Sequence, residues 1–291
     1  MEVAIECGAC AAIQLVRTLS VRDPDWRRHV GPLLAVAGEA LARADNPGAM
    51  LTAMYDAVKA AVGDEDPYRA AKDAADARAE AWWAAHSLPL ADLAGRLALA
   101  AAANAIDAGL DPSLDPLWAS FEAAATEPPA HDDRPAVLAW LDAHPGAHVV
   151  YLLDNAGEAV FDREVLRALQ ARGFALTAVV KGGPILNDVT RREARAIGLD
   201  TVATVVDNGT DCSGVLPGRV APRVERLLET ADLIVAKGLA HLETLSHRDL
   251  AAPVVFAYRA KCPPSARLLS VPEQATVVWF RPPQAKVSAS S

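Results

Sequence analysis

Six apolar runs in the second half of the chain constrain the fold more than any other feature. They are "HVVYLLD" from His148, "FALTAVVKG" from Phe174, "TVATVVDNG" from Thr201, "ADLIVAKG" from Ala231, "APVVFAYRA" from Ala252 and "ATVVWF" from Ala275. Most are continuous rather than alternating, and helix-like segments separate them. Strands that are apolar on both faces belong in a mainly parallel sheet covered by helices on both sides. The first half reads differently. Ala-rich stretches with Leu, Trp and Val three and four residues apart predict helices over Ala9–Leu19, Val30–Arg43, Gly48–Val62, Pro67–Ala85, Pro89–Ala108 and Pro116–Ala125. Pro32, Pro67, Pro89 and Pro116 stand near predicted helix starts, where a missing N–H costs nothing. Val3–Ile5 is the one strand-like stretch before His148. The expected class is α/β: a helical domain over 1–146 beside a Rossmann-like α/β/α domain over 147–291, with a frayed tail after Pro283.

Composition excludes some functions. A formal net charge of −9 and scattered arginines argue against nucleic acid as a partner. Apolar stretches such as Leu97–Ala103 are too short to cross a bilayer. "MEVAIECGAC" has no basic region followed by an apolar core, and four cysteines make no disulfide framework, so the cytoplasm is expected. The oligomeric state is open, because Ala-rich helices serve equally as core or interface.

Parallel sheets bind ligands at the carboxyl ends of their strands. Those ends carry Asp154-Asn155 with Glu158, then Lys181-Gly182-Gly183 with Asn187-Asp188, then Asp207-Asn208-Gly209, then Lys237-Gly238. Turn chemistry or helix capping explains any one of these, but not all four on one edge. Asp154, Asn155 and Asp188 are hard oxygen ligands with no His or Cys cluster nearby, which favours Mg²⁺, Mn²⁺ or a similar octahedral ion over zinc. Lysines beside such an ion suit an anion, and the pair suits phosphoryl chemistry. Neither a GxxxxGK[ST] nor a GxGxxG pattern occurs.

At this point the sequence resembles the metal-dependent damage-control phosphatases, the "domain of unknown function 89" family, in its subgroup with an N-terminal CxxC. The matching segments run in family order: "CGAC…Q" at 7–14, "DPYRAAK" at 66–72, "ANAID" at 103–107, "DNAGEAVFD", "GGPILNDVT", "DNGTDCSG", "ADLIVAKG" and "KC" at 261–262. The resemblance implies one divalent metal ion (Mn²⁺, Co²⁺, Ni²⁺ or Mg²⁺) on Asp154, Asn155 and Asp188. It implies that Lys237 and main-chain amides at Ala156 and Gly157 hold a substrate phosphate, with Glu158 and Asn104 lining the cleft. Asp154, Lys237 and Glu158 are the expected catalytic residues. The substrate class is a small phosphorylated metabolite: a sugar phosphate or a phosphopantetheine-type compound. The nucleophile is either a water at the cation or the Asp154 carboxylate.

Two departures bear on specificity. Ala103 stands where the family usually has Gly, and Leu239-Ala240-His241 where it has Gln-Gly-Asn.

Each assignment has a plainer reading. Asp154-Asn155 would serve as an Asx turn, Asp188 as the cap of the next helix, and Glu158 as a first-turn acid on the helix dipole. Asn187 shapes the turn, Lys181 lines the cleft, and Asp162 and Asp211 are surface or turn residues. His241 is either packed or in contact with substrate. Cys7 and Cys10 are packing residues, a redox pair, or half of a zinc site needing Cys262 and Cys212 or a His. Trp82-Trp83 is helix packing. Two other functions fit less well: a protein carboxyl methyltransferase using adenosylmethionine, whose glycine-rich loop is replaced here by DNAGE, and a non-catalytic module that binds a phosphometabolite.

Overall fold

The computed structural model describes residues 1–63, 66–107, 109 and 114–283; the tail expected to fray, from 284 on, lies outside the described residues. Three helices come first: α1 (Glu6–Arg22), α2 (Arg27–Arg43) and α3 (Pro47–Val62). The Asn46 side chain caps α3 by accepting from the Ala49 N–H at 2.9 Å, with Pro47 at the first helical position. Val3–Ile5 is not a strand. The carbonyls of Ala4 and Ile5 instead accept the N–H groups of Cys7 and Gly8, feeding the chain into α1.

Next come α4 (Arg69–His86), α5 (Leu93–Ala102) and α6 (Asp115–Ala125). The long helix expected over Pro89–Ala108 starts only at Leu93, because Asp92 caps it through the Gly95 N–H. It tightens into a 3₁₀ turn over Ala103–Ala105, which turns Asn104 into the core.

The sheet follows, with strands β1 (His131–Asp132), β2 (His148–Leu152), β3 (Ala175–Val180), β4 (Thr204–Asp207), β5 (Leu233–Lys237), β6 (Val254–Arg259) and β7 (Thr276–Arg281). Between them lie α7 (Arg134–Ala143), α8 (Glu158–Ala171), α9 (Arg191–Ala196), α10 (Pro222–Thr230), α11 (Gly238–Leu245) and α12 (Pro263–Arg267). The strand order is β1-β7-β6-β5-β2-β3-β4, and every pair is parallel except β6 with β7. Each side chain of β2 goes to the face its pleat dictates. Val149 and Tyr151 enter one core, and Val150 and Leu152 enter the other.

The helical half does not act as one unit. Residues of α4–α6, such as Ala79, Leu97 and Phe121, share a core with Val149, Tyr151 and Val235 of the sheet. Trp82 and Trp83 pack there against Phe161, as helix packing predicts. Helices α1–α3 have a separate core around Leu15, Leu19, Met54 and Val58. The expected division at 146 therefore runs through a shared core, and the cores separate after α3.

The chain leaves β2 for β3 and β4 on one side, then returns to lay β5 on the other side of β2. The carboxyl ends of β2 and β5 thus flank the switch point where open α/β sheets form a crevice. One tie across the fold is polar and buried. Lys72 of α4 lies 2.7 Å from Asp66 and 2.9 Å from Glu193 of α9, and it has no exposed surface. Burial pulls the Glu193 carboxyl upward, but hydrogen bonds from Thr190 and the charge of Lys72 overcome it and hold it at about 2. A carboxyl held this low stabilises the fold fully above its ordinary range, near pH 4.5, and loses that contribution as pH falls through 2. Glu193→Gln should therefore be less stable than the parent at pH 7, with the gap closing between pH 4.5 and 2. Thermal unfolding followed across that window reads this out, and a constant gap would rule out the Lys72–Glu193 link.

Candidate active site

Two loops are stitched together at the switch point by their backbones. Asn155 and Asp188 form an isolated antiparallel bridge, the Val189 N–H donates to the Asp154 carbonyl at 2.9 Å, and the Ala156 N–H donates to the Asn187 carbonyl at 2.9 Å. This brings Asp154, Asn155 and Asp188 together, at 6%, 3% and 7% exposure. None of them caps a helix. The residue preceding α8 is Gly157, with no side-chain cap. Thr190, in a capping box with Glu193, starts α9 and frees Asp188.

A network of fully buried side chains holds Asp154 and Asn155. The Asn104 amide donates to Asp154 Oδ2 (3.0 Å) and Glu158 Oε2 (2.8 Å), while its Oδ1 accepts the Arg259 N–H. The Asn155 amide donates to the same two carboxylate oxygens, at 2.9 and 3.0 Å. Lys237 Nζ donates to Glu158 Oε1 (2.7 Å), Asp162 Oδ1 (2.7 Å) and the Ala100 carbonyl (2.8 Å). Close approach requires Gly238: a Cβ there would stand 1.8 Å from Asp154 Oδ2, and its φ of +72° suits glycine.

These contacts revise several expected roles. All three Lys237 donors are used and the residue is 0% exposed, with Glu158 and Asp162 as its ion-pair partners. Asp162 is not a surface residue. It sits one helical turn after Glu158, so both face inward, and Tyr151 also donates to it at 2.7 Å. The Ala156 N–H is used as above, and the Gly157 N–H donates to Asp76 Oδ1 at 2.6 Å, so neither amide is free for an anion. Asn104 and Glu158 act as supports, being fully buried. Asn187 Oδ1 accepts the Gly109 N–H, tying its loop to a segment distant in sequence.

Sequence reading missed Asp76, which arrives from α4, and Lys261. The Lys261 ammonium donates to Asp107 at 2.7 Å and is 12% exposed, the most open lysine of the site. Its signal was the "KC" pair, quoted only as a likeness. Lys181 lies 3.3 Å from Asp188 Oδ2 and donates to the Cys212 carbonyl.

Charge at the site is unbalanced. Five carboxylates (Asp107, Asp154, Glu158, Asp162, Asp188) face three lysines (Lys181, Lys237, Lys261). Burial, then Glu158 and Asp188, push Asp154 well above the carboxylate range. Burial pushes Asp188 up to about 6, with Lys181 opposing. For Lys237 and Lys261 burial pulls down, but the carboxylates around them hold both above the usual lysine value. Among the described residues, no donor reaches Asp154 Oδ1, Asn155 Oδ1 or Asp188 Oδ1. Three hard oxygens without partners, amid an excess of carboxylates over lysines, fit a divalent cation. Groups of three or more His, Cys, Asp or Glu able to hold a metal are absent among the described residues, so the amide oxygen of Asn155 is needed to complete the set.

His241 is 4% exposed, and its Nδ1 lies 2.7 Å from the Lys237 carbonyl. Burial, with Lys181 and Lys237 nearby, pulls it down to about 3. It is therefore neutral and donates from Nδ1.

The family model of the damage-control phosphatase ARMT1-like domain matches residues 3–277, and the chain belongs to that family. Among its relatives, the damage-control phosphatase PH1575 of Pyrococcus horikoshii is 29% identical over 286 residues, covering 95% of this chain and 97% of that protein. The crystal structure of that "duf89 family protein" superposes with a TM-score of 0.83 at 27% identity, over 97% of this chain and 99% of the other. A damage-control phosphatase of Archaeoglobus fulgidus is 43% identical over 124 residues, 42% of this chain. An uncharacterised protein of Methanocaldococcus jannaschii, MJ0202, is 35% identical over 125 residues, also 42% of this chain. Those last two matches span 43% and 41% of the relatives' lengths.

Lys237→Met should leave Glu158 and Asp162 buried without their counter-charge, a loss of about 3–5 kcal/mol. Urea unfolding at pH 7.5 measures it. Unchanged stability would mean that the ammonium does not hold this network together.

Proposed function

We propose that the chain is a divalent-cation-dependent phosphatase that hydrolyses monoesters of small phosphorylated metabolites in the cytoplasm, as part of metabolite damage control. The observation that carries this reading is the trio of unpartnered oxygens, Asp154 Oδ1, Asn155 Oδ1 and Asp188 Oδ1, among side chains where carboxylates outnumber lysines. Mn²⁺, Co²⁺, Ni²⁺ or Mg²⁺ suits such donors and, when bound, polarises the phosphoryl group and offsets charge in the transition state.

The chain's own residues supply positioning and charge. Asn104 and Asn155 both grip Asp154 Oδ2, which fixes the carboxylate's rotation and leaves Oδ1 pointing away from the support. Lys237 keeps Glu158 in place as the acceptor for both amides. Lys261 is charged and partly open, drawn toward Asp154 and Glu158, and is the residue placed to meet a phosphate oxygen. Buried walls exclude water from the groups that set this geometry, so their mutual alignment persists through turnover.

Phosphate release from p-nitrophenyl phosphate, sugar phosphates and phosphopantetheine tests the reading, with metal-stripped protein refilled by each cation in turn. We expect release to depend on the cation, and Asp154→Asn to lose about 100-fold or more of kcat. No release with any cation, or full activity in Asp154→Asn, would sink the proposal.

A further inference from the structure

We infer that the cleft extends beyond the cation ligands into a second compartment, built to take the body of the substrate: an extended, mainly apolar alcohol carrying a hydrogen-bond donor near Gln14. This rests on the phosphatase reading and names the class of ester within it.

The compartment is a cavity of about 300 Å³ between α1, α3 and the segment around α12. Its walls include Ile13, Met50, Leu51 and Pro264, together with the thiols of Cys7, Cys10 and Cys262. At roughly 30 Å³ per water-sized group, it holds about ten heavy atoms. Lys261 lines one end, and its ammonium binds Asp107 and is drawn to Asp154, so the cavity begins where a phosphate would sit. A narrower space of about 40 Å³ touches Asp188 and shares Gln14 and Leu51 with the larger one. The two are neighbours along α1 and α3.

Two polar atoms on these walls are buried without a partner: Gln14 Oε1 and Glu243 Oε2. Glu243 is 8% exposed, and burial pushes its carboxyl up to about 8, so it keeps its proton near neutrality. Buried polar atoms in native structures normally find partners, so an unmatched amide oxygen marks a place where a ligand donor fits. The rest of the lining is largely apolar or polarisable, with Glu6, Arg17 and Lys261 as its charged members. The thiols do not read as a zinc site, since no group of three or more such side chains among the described residues is placed to hold a metal. Nor do they read as a reactive redox pair, because both thiols are raised above the usual value, although Cys10 keeps an exposed surface that a reagent can reach. An ester with a short, wholly hydrated alcohol would leave this surface unused.

The test is an n-alkyl phosphate series from ethyl to hexyl, with a hexyl analogue bearing a terminal amide. Each buried methylene is worth up to about fourfold, so kcat/KM should rise at least tenfold along the series in the parent protein. The amide analogue should exceed the plain hexyl ester, and Gln14→Leu should reverse that order. Leu51→Trp, which fills the cavity, should bring the hexyl-to-ethyl ratio close to one. Protection of the exposed Cys10 from N-ethylmaleimide gives a readout independent of turnover. Hexyl phosphate should slow labelling severalfold and ethyl phosphate should not. A flat series together with equal labelling overturns this inference while leaving the phosphatase reading intact, whereas protection without any turnover overturns the phosphatase reading and keeps the compartment.

Discussion

Lys237 has no exposed surface and lies between Glu158 and Asp162, and the geometry around the site depends on that contact. The ammonium sits at the end of β5, its two carboxylates on α8, and its third acceptor, the Ala100 carbonyl, on α5. Three elements distant in sequence are thus fixed by one charge. Glu158, once held, accepts both amides that orient Asp154. Removing charges from water costs several kcal/mol each, so such a group persists only if its geometry is good and its hydrogen bonds are complete. Here they are nearly so: Asp162 Oδ2 is the buried oxygen of the triad left without a partner.

Around that charge the backbone does the remaining work. Asp154-Asn155 come just after β2, Asp188 lies in the loop after β3, and main-chain contacts pair them, so their spacing follows from that bridge. Gly238 lets the next strand end approach from the other side. The side chains then supply charge and oxygen lone pairs to a frame already set.

Much of this was legible in the sequence. Apolar runs ending in polar clusters located six of the seven strands, the sheet's mainly parallel character and the edge where Asp154, Asn155 and Asp188 meet. What escaped depends on long-range contacts. A lysine ending an apolar strand reads the same whether it faces a ligand or a carboxylate, and Lys237's carboxylate partners lie about eighty residues earlier in the chain. Asp162 looked like a surface acid because the inward turn of α8 is fixed by Tyr151 and Lys237, not by its neighbours in sequence. The strand β1 has two residues and exists only through its pairing with β7, so no local pattern announces it. The Ala-rich helices likewise gave no sign that α4–α6 join the sheet's core while α1–α3 keep their own.

That last division has a mechanical consequence. Helices α4–α6 share the sheet's apolar core, beside the strand ends that carry Asp154, Asn155 and Asp188. The seam to α1–α3 combines apolar packing with polar ties, among them the buried Ser213 N–H on Thr52 and the more open pairs Arg219 with Asp56 and Lys59 with Asp211. Polar contacts near water exchange partners at little cost, whereas a shared apolar core does not. Any breathing that admits a molecule too long for the closed form falls to the three-helix unit, which carries one wall of the deep cavity and none of the ligands.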